Sequence, residues 1–247
     1  MDRLIYTAMT GASHTLLQQA TVSQNLANVN TPGYRSAINT FRAIPLNGEG
    51  LNTRTMVVDS TAGADFSSGT LQQTGRSLDV AVQGDGWLTV QLEDGSEAYT
   101  RNGSLQITPA GLLQTHGGLN VVGDAGELTI PPNSEINIAR DGTISTVPSG
   151  NKPSSVVVAG RIKLVNPPEA DLVRGDDGLF RLKNGATADA DANVKLLSGS
   201  LEGSNVNTVE AMVNMIALAR QFDMQMKMLQ SADNNAKQAS QLLNINA

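Results

Sequence analysis

The chain has 247 residues, a formal net charge of −6, no cysteine and an aromatic content of only 3%. The acidic balance and the scarcity of aromatic side chains disfavour nucleic-acid binding, which needs basic patches and stacking platforms. The lack of cysteine excludes disulfides, thiolate metal sites and cysteine nucleophiles. No apolar run reaches the roughly 20 residues that span a bilayer. Polar residues interrupt the apolar start of the chain, so we expect no cleaved secretory signal.

The first predicted element is a helix over residues 4–27. Two asparagines, a proline and a glycine follow it within residues 28–33, and this composition stops helices. We therefore assign residues 1–33 to the N-terminal helix of a discontinuous inner helical domain. The heptad-like spacing on one face of this helix predicts an assembly seam. Its residues are Ile5, Met9, Ala12, Leu16 and Leu26.

The middle of the chain reads as β structure. Residues 34–75 predict an extended linker or a β-hairpin region, because Thr, Ser, Gly and Asn dominate there. From Leu78 onward apolar residues alternate with polar ones, and we expect a β-rich outer domain over residues 76–198. Asp-Gly and Asn-Gly pairs predict hairpin turns. These pairs occupy residues 94–95, 102–103, 141–142, 177–178 and 184–185.

The last segment, residues 199–247, predicts a long C-terminal helix that pairs with the N-terminal one. Ser204, Asn205, Asn207 and Thr208 are all suitable N-caps. A helix of this length spans on the order of 55–60 Å, so much of its apolar stripe needs partners outside the β domain. The stripe comprises Met212, Met215, Ala219, Phe222, Met226 and Leu229.

These elements predict an α+β fold, in which long coiled-coil-forming helices at both termini flank a mainly antiparallel β domain. A helix pair with an unsatisfied apolar stripe favours a structural polymer subunit. A surface polysaccharide-binding β protein is the alternative, although one tryptophan and three tyrosines offer few sugar platforms.

We find no catalytic, cofactor-binding or metal-binding constellation in the sequence. The Gly84-Asp85-Gly86 segment lacks the third glycine of a nucleotide loop and precedes a strand pattern. The acidic segments at residues 175–178 and 189–191 lack the ligand spacing of calcium loops. We therefore expect no enzyme activity and no cofactor.

Residues 25–34 resemble the N-terminal signature of the bacterial flagellar rod and hook protein family. Further blocks at residues 78–87, 98–103, 141–145 and 201–207 are similar to family segments in the same order. Together with residues 212–220, which are similar to the family's C-terminal helix, these blocks are distributed along nearly the whole chain. The signature residues are Asn25, Leu26, Ala27, Asn28, Thr31, Pro32, Gly33 and Tyr34.

This resemblance implies a structural subunit of the flagellar basal-body rod, closest in type to proximal rod proteins, with a distal rod protein as the alternative. It implies export through the flagellar type III apparatus without a cleaved signal peptide. The expected partners are copies of the chain and other rod proteins, with no nucleic acid and no direct membrane insertion. The expected product is a hollow periplasmic drive shaft that transmits torque.

Overall fold

The computed structural model describes residues 2–45, 55–131, 134–148 and 156–244. The chain divides into two compact units, and each is built from segments that are not contiguous in sequence. Unit 1 comprises Met1–Ala27, Ala37–Gly63 and Asn207–Ala247. Unit 2 comprises Asn28–Ser36 and Ala64–Val206. These limits differ from the four segments predicted from the sequence, which remain a proposal.

The described residues of unit 1 form two helices and one small sheet. Its elements are α1 (Asp2–Ala27), α2 (Thr208–Asn244) and the paired strands β1 (Ala37–Pro45) and β2 (Thr55–Ala64), of which Ala64 belongs to unit 2. The helices pack against each other. In the described part of the chain, neither helix has an apolar stretch of the length that crosses a membrane.

The N-terminus of α2 is capped by Asn207, one of the four predicted candidates. Its side-chain Oδ1 accepts hydrogen bonds from the backbone N–H groups of Val209 (3.1 Å) and Glu210 (3.3 Å). These bonds satisfy donors that have no partner within the helix. The carboxylate of Glu210 also lies in the first turn, where it opposes the positive end of the helix dipole. The cap of Asn207 and the charge of Glu210 both stabilise a helix that begins at Thr208.

In its described residues, unit 2 consists of β strands and one short 3-10 helix at Glu169–Asp171. Its strands are β3 (Leu71–Gln73), β4 (Val80–Gln83), β5 (Trp87–Gln91), β6 (Glu97–Thr100), β7 (Leu105–Ile107), β8 (Leu113–Thr115), β9 (Asn120–Gly123), β10 (Gly126–Glu127), β11 (Ser134–Ile138), β12 (Thr143–Pro148), β13 (Val157–Arg161), β14 (Leu164–Val165), β15 (Leu172–Arg174), β16 (Phe180–Leu182), β17 (Lys195–Ser198) and β18 (Ser200–Glu202).

Nine of these strands form one sheet in the order β15-β16-β6-β5-β9-β8-β7, with β10 paired to β9 and β14 paired to β5. The smaller sheets are β11-β12-β13, β17-β4 and β18-β3. Each of these ladders is antiparallel where its register is defined. The predicted α+β class, with terminal helices and mainly antiparallel β structure between them, is confirmed.

Three of the five predicted hairpin turns join strands that pair with each other. Residues 94–95 connect β5 to β6, residues 141–142 connect β11 to β12, and residues 177–178 connect β15 to β16. The hairpin predictions for residues 102–103 and 184–185 are wrong, because the strands on either side of these dipeptides pair with other partners. Gly103 serves a different purpose, since a Cβ there would lie 1.7 Å from the carbonyl oxygen of Val80.

The core of unit 2 has an aliphatic and an aromatic part. The aliphatic cluster includes Val80, Leu88 and Ile144, each at most 1% exposed. The aromatic cluster centres on Trp87 and its neighbours, which are Tyr99, Val165, Leu172, Phe180 and Ala188, with Phe66 packed against them. The chain has few aromatic residues, but several of them lie together and form one part of this core.

Candidate functional site

The interface between α1 and α2 follows a seven-residue spacing on both helices. On α1, the fully or partly buried positions at this spacing are Ile5, Ala8, Ala12, Thr15, Gln19, Val22 and Leu26. On α2 they are Ala211, Met215, Leu218, Phe222, Gln225, Leu229, Ala232 and Ala236. We call these two sets the intrachain seam. Their alternating intervals of three and four residues keep one face of each helix directed at the other.

The helices of unit 1 run antiparallel. The hydroxyl of Thr15 donates to Oε1 of Gln225 at 3.2 Å. Further along α1, Val22 lines a cavity of about 330 Å³ together with Leu218 of α2. As the residue number increases along α1, the number of the facing residue on α2 decreases, so the two helices are antiparallel.

Small side chains occupy the most buried positions of the intrachain seam. Ala8 and Ala12 on α1 are 5% and 7% exposed, and Ala232 on α2 is 4% exposed. A Cβ added at Gly11 would come within 3.0 Å of the side chain of Gln225. The two backbones therefore approach each other closely at these positions.

The structure divides the predicted apolar stripes between the intrachain seam and the outer surface. Those that lie fully or partly buried along or beside the seam are Ile5, Ala12, Leu26, Met215, Ala219, Phe222 and Leu229. Those that are exposed are Met9 (54%), Leu16 (50%), Met212 (49%) and Met226 (38%). Their assignment to contacts between subunits remains a prediction.

Hydrophobic periodicity alone misses part of the seam. Ala8, Thr15, Gln225 and Ala232 contribute to it, but their small or polar side chains carry little hydrophobic signal. The sequence signal for the alanines is a pair of small residues four positions apart on each helix, Ala8 with Ala12 and Ala232 with Ala236.

Unit 1 exposes large apolar side chains on the faces of its helices that lie outside the intrachain seam. In addition to the four exposed stripe residues, they are Tyr6, Leu17, Val209, Val213, Ile216, Met224 and Met228. We call these seven residues and the four exposed stripe residues the outer apolar face. Single apolar residues scattered over a surface are normal, whereas large contiguous patches of them are typical of surfaces that bind a partner.

Strand β1 is held to α1 by two asparagine side chains. Nδ2 of Asn39 donates to Oγ1 of Thr21 at 2.6 Å and to the carbonyl oxygen of Leu17 at 3.3 Å. Asn25, in the last turns of α1, bonds both backbone polar groups of Ala37. These polar contacts fix the start of the strand beside the helix.

In unit 2, the surroundings of Gly33, the glycine of the family signature, show why this position requires glycine. Gly33 has φ of +68°, and a Cβ at this position would lie 2.3 Å from the carbonyl carbon of Arg101. Its N–H donates to the backbone oxygen of Glu202 at 2.8 Å. Only glycine satisfies both the left-handed conformation and the close approach.

Beside Gly33, one buried carboxylate pairs with two buried guanidinium groups. Oε1 of Glu202 lies 2.7 Å from Nη2 of Arg35, and Oε2 lies 3.1 Å from Nη1 of Arg101. The three side chains are 0–4% exposed. Burial lowers the pKa of the Arg101 guanidinium, and the charge of Arg35 acts in the same direction, while Glu202 opposes both. We call these three residues the buried triad.

The remaining signature residues lie around the triad or at the end of α1. Thr31 donates its hydroxyl to Oδ1 of Asn28 at 3.1 Å, and the guanidinium of Arg174 lies 4.5 Å from the ring centre of Tyr34. Pro32 is partly buried in the same segment. Asn25, Leu26 and Ala27 form the last residues of α1 in unit 1.

Asn205 completes the cluster in unit 2. Its Oδ1 accepts from the backbone N–H of Ser36 at 2.7 Å, and its Nδ2 donates to the carbonyl oxygens of Asp65 (2.9 Å) and Ser67 (3.1 Å). Sequence blocks that are far apart in the chain therefore meet in one place. The common role of these residues is to hold backbone segments together. The described residues of the chain contain no group of three acidic or histidine side chains arranged for a metal ion.

Three family models match the chain. A model for flagella basal body rod proteins matches residues 5–35, one for the D1 domain of the flagellar hook proteins FlgE/F/G matches residues 81–146, and one for the C-terminal part of the flagellar basal body rod FlgEFG proteins matches residues 197–242. Each matched segment contributes one member of the buried triad.

Several curated proteins are similar over their full length. The flagellar basal-body rod protein FlgF of Salmonella typhimurium is 52% identical over 251 residues, covering 99% of this chain and 100% of the relative. FlgF of Escherichia coli K12 is 51% identical with the same coverage. FlgG of Buchnera aphidicola subsp. Acyrthosiphon pisum is 32% identical over 261 residues, covering 96% of this chain and 98% of the relative. The chain therefore belongs to the flagellar basal-body rod protein family, as a structural subunit and not an enzyme.

Proposed function

We propose that the chain is a proximal-rod subunit. Two relatives named FlgF are 52% and 51% identical to the chain, whereas the relative named FlgG is 32% identical, and this difference supports the proximal assignment. A distal-rod subunit is the runner-up, because the same architecture serves both. In either case the molecule works by polymerising with copies of itself and with other rod proteins.

The observation that carries the proposed mechanism is the outer apolar face of unit 1. Residues such as Leu16 and Ile216 are 50% and 56% exposed, although their helices already pack on each other. Burial of this apolar area, at roughly 25 cal/mol per Å², would stabilise contacts with neighbouring subunits. The proposed assembly joins helix pairs from many subunits through coiled-coil-like packing of this face, with the β structure directed outward.

Such packing suits the mechanical task of a hollow drive shaft in the periplasm. Torque transmission requires a stiff interface that repeats in every subunit, and it requires no chemical step. Methionines on the outer apolar face, among them Met9 and Met226, adapt their shape to neighbours that are not identical. A rod whose subunits meet several different partners benefits from such adaptable contacts.

Delivery of the subunit is part of the same proposal. The chain would leave the cytoplasm through the flagellar type III export apparatus without a cleaved signal peptide. The polar interruptions in residues 1–16 and the use of this segment in the packed helix α1 support retention of the N-terminal segment. N-terminal sequencing of rod-incorporated subunits would test this step.

The experiment uses Leu16→Asp in the full chain. A carboxylate on the outer apolar face should abolish rod incorporation and swimming, because an unpaired charge at an apolar contact costs several kcal/mol. The melting temperature of the isolated subunit should stay within about 2 °C, since ordinary surface changes are nearly neutral. Incorporation is read from purified basal bodies, and swimming from soft agar.

Two control variants bracket this result. Gln238→Asp changes an exposed polar residue of α2 that lies beyond the last residue of the outer apolar face, and it should assemble normally. Ala12→Asp places the charge in the intrachain seam and should lower the melting temperature of the isolated subunit. A Leu16→Asp subunit that assembles and supports swimming would remove Leu16 from the proposed contact surface.

A further inference from the structure

The stability of unit 2 does not by itself account for the three charged side chains of the buried triad. Replacing buried ion pairs by apolar side chains of similar volume is often neutral or stabilising, so their presence needs a reason other than stability. The triad also carries one more positive charge than negative charge, since one carboxylate, that of Glu202, forms ion pairs with both Arg35 and Arg101, and Asp85 acts on Arg101 more weakly. This imbalance makes the carboxylate the critical member.

The members of the triad come from three separate parts of unit 2. Arg35 lies in the segment Asn28–Ser36, Arg101 follows strand β6, and Glu202 ends strand β18. Before β18 is in place, Arg35 and Arg101 are two like charges that converge on one point without the carboxylate that they share in the folded unit. The approach of segment Asn28–Ser36 to Arg101 is then electrostatically unfavourable.

Glu202 joins more backbone than a simple ion pair does. Its Oε1 accepts the N–H of Gly69 at 2.9 Å, and its backbone oxygen accepts the N–H of Gly33 at 2.8 Å. Arg101 keeps other partners, because it donates to the carbonyl oxygen of Gly84 at 2.8 Å. In the part of the chain that the structure describes, Nε and Nη1 of Arg35 have no hydrogen-bond acceptor. Arg35 therefore depends on Glu202 most.

We propose that Glu202 is the closing latch of unit 2. The two arginines keep the segment Asn28–Ser36 from docking until the strand that carries Glu202 arrives and supplies the shared carboxylate. Unit 2 then closes in one step, with its N-terminal and C-terminal segments fixed together. A chain in which residues 199–206 have not yet docked stays open at this point.

The test compares full-length variants by thermal unfolding. Glu202→Gln leaves two buried cations unpaired and should lower the melting temperature more than Arg101→Met, which leaves a balanced Arg35–Glu202 pair. The double variant Arg101→Met/Glu202→Gln should melt above Glu202→Gln alone, because one uncompensated charge has been removed. If Glu202→Gln fails to fold, the proposal still predicts that the double variant folds.

Folding kinetics test the order of closure. A latch that closes after the rate-limiting step predicts that Glu202→Gln unfolds about tenfold faster or more, while its refolding rate stays within about twofold. The double variant serves for this measurement if the single one does not fold. Hydrogen exchange at the amides of Gly33 and Gly69 should accelerate in the same variants, since both amides donate to Glu202.

Glu97 provides a matched control, because it pairs with a single cation, Lys163, at 2.8 Å in the same unit. Glu97→Gln leaves one partly exposed charge, and adding Lys163→Met should bring no rescue comparable to that at the triad. Two outcomes overturn the proposal. One is a double variant at the triad that is no more stable than Glu202→Gln, and the other is refolding that slows as much as unfolding accelerates.

Discussion

Asn25 holds the backbone of Ala37 through two hydrogen bonds. The N–H of Ala37 donates to Oδ1 of Asn25 at 2.8 Å, and Nδ2 of Asn25 donates to the carbonyl oxygen of Ala37 at 2.9 Å. The side-chain amide thus imitates a partner strand, which requires a donor and an acceptor at a fixed spacing. In unit 1 this contact joins the end of α1 to the start of β1. The physical role of an asparagine in the family signature is therefore to fix the chain at this point.

Replacing Asn25 by Ala should free the start of β1. The loss of two partly buried hydrogen bonds costs about 2 kcal/mol, and the amide of Ala37 should exchange with solvent much faster. Asn25→Asp keeps the acceptor and loses the donor, so we expect an intermediate effect. Ser23→Ala, at an exposed position on the same helix, is the matched control. Unchanged exchange at Ala37 in the alanine variant would show that β1 is held by other contacts.

Gly33→Ala should destabilise unit 2 well beyond the cost of its backbone conformation. A left-handed conformation costs an alanine roughly 1–2 kcal/mol, and the clash with Arg101 should add about 1–3 kcal/mol. Gly75→Ala separates the two terms, because Gly75 has φ of +73° and a Cβ there would meet no described atom within 4 Å. Chemical denaturation followed by circular dichroism provides the free energies of unfolding. Equal losses in the two variants would contradict the close approach at Gly33.

Local chemistry made some of these elements predictable from sequence. The terminal helices have periodic apolar residues and clear stop or cap signals, and the Asp94-Gly95 turn joins a true hairpin. The pair Asn102-Gly103 has the same local signal, but Gly103 is required by its contact with Val80. A dipeptide pattern cannot distinguish these two uses of glycine, because the second depends on a strand elsewhere in the chain.

The candidate sites depend even more on tertiary structure. The sequence identifies Gly33 as a family feature, while its reason lies in the backbone of Arg101. Nothing local to Arg35 or Glu202 indicates that they meet, since charged side chains are usually solvated. Their pairing follows only from the tertiary fold of unit 2, in which the N–H of Gly33 donates to the backbone oxygen of Glu202 and brings the two segments together.

The small residues of the intrachain seam predict a specific sensitivity to added volume. Ala12→Leu should destabilise the helix pair by about 1–3 kcal/mol, because overpacking displaces two closely spaced backbones. Ala20→Leu adds the same volume at an exposed position of α1 and should be nearly neutral. Hydrogen exchange along α1 and α2 reports the difference within unit 1. An Ala12→Leu variant as stable as Ala20→Leu would indicate that the helices do not pack through this position.

Tyr99 predicts a loss of stability in alkaline solution. Burial raises the pKa of its phenol, which accepts a hydrogen bond from the N–H of Ala188 at 2.7 Å. The unfolded chain ionises Tyr99 near its ordinary pKa of about 10, whereas the folded chain keeps the proton to higher pH. The folded state therefore binds more protons above this point, so stability is complete below pH of about 10 and falls as pH rises through the raised pKa.

The variant Tyr99→Phe isolates this contribution. At pH 8 both states of the wild-type tyrosine are protonated, and the variant should be less stable by about 1 kcal/mol because the N–H of Ala188 loses its acceptor. Between pH 10 and 11 the wild type should lose stability through Tyr99 and the variant should not, so the gap between them narrows. Urea unfolding at pH 8, 10 and 11 measures this gap directly. A gap that stays constant or widens with pH would mean that Tyr99 does not retain its proton in the folded state.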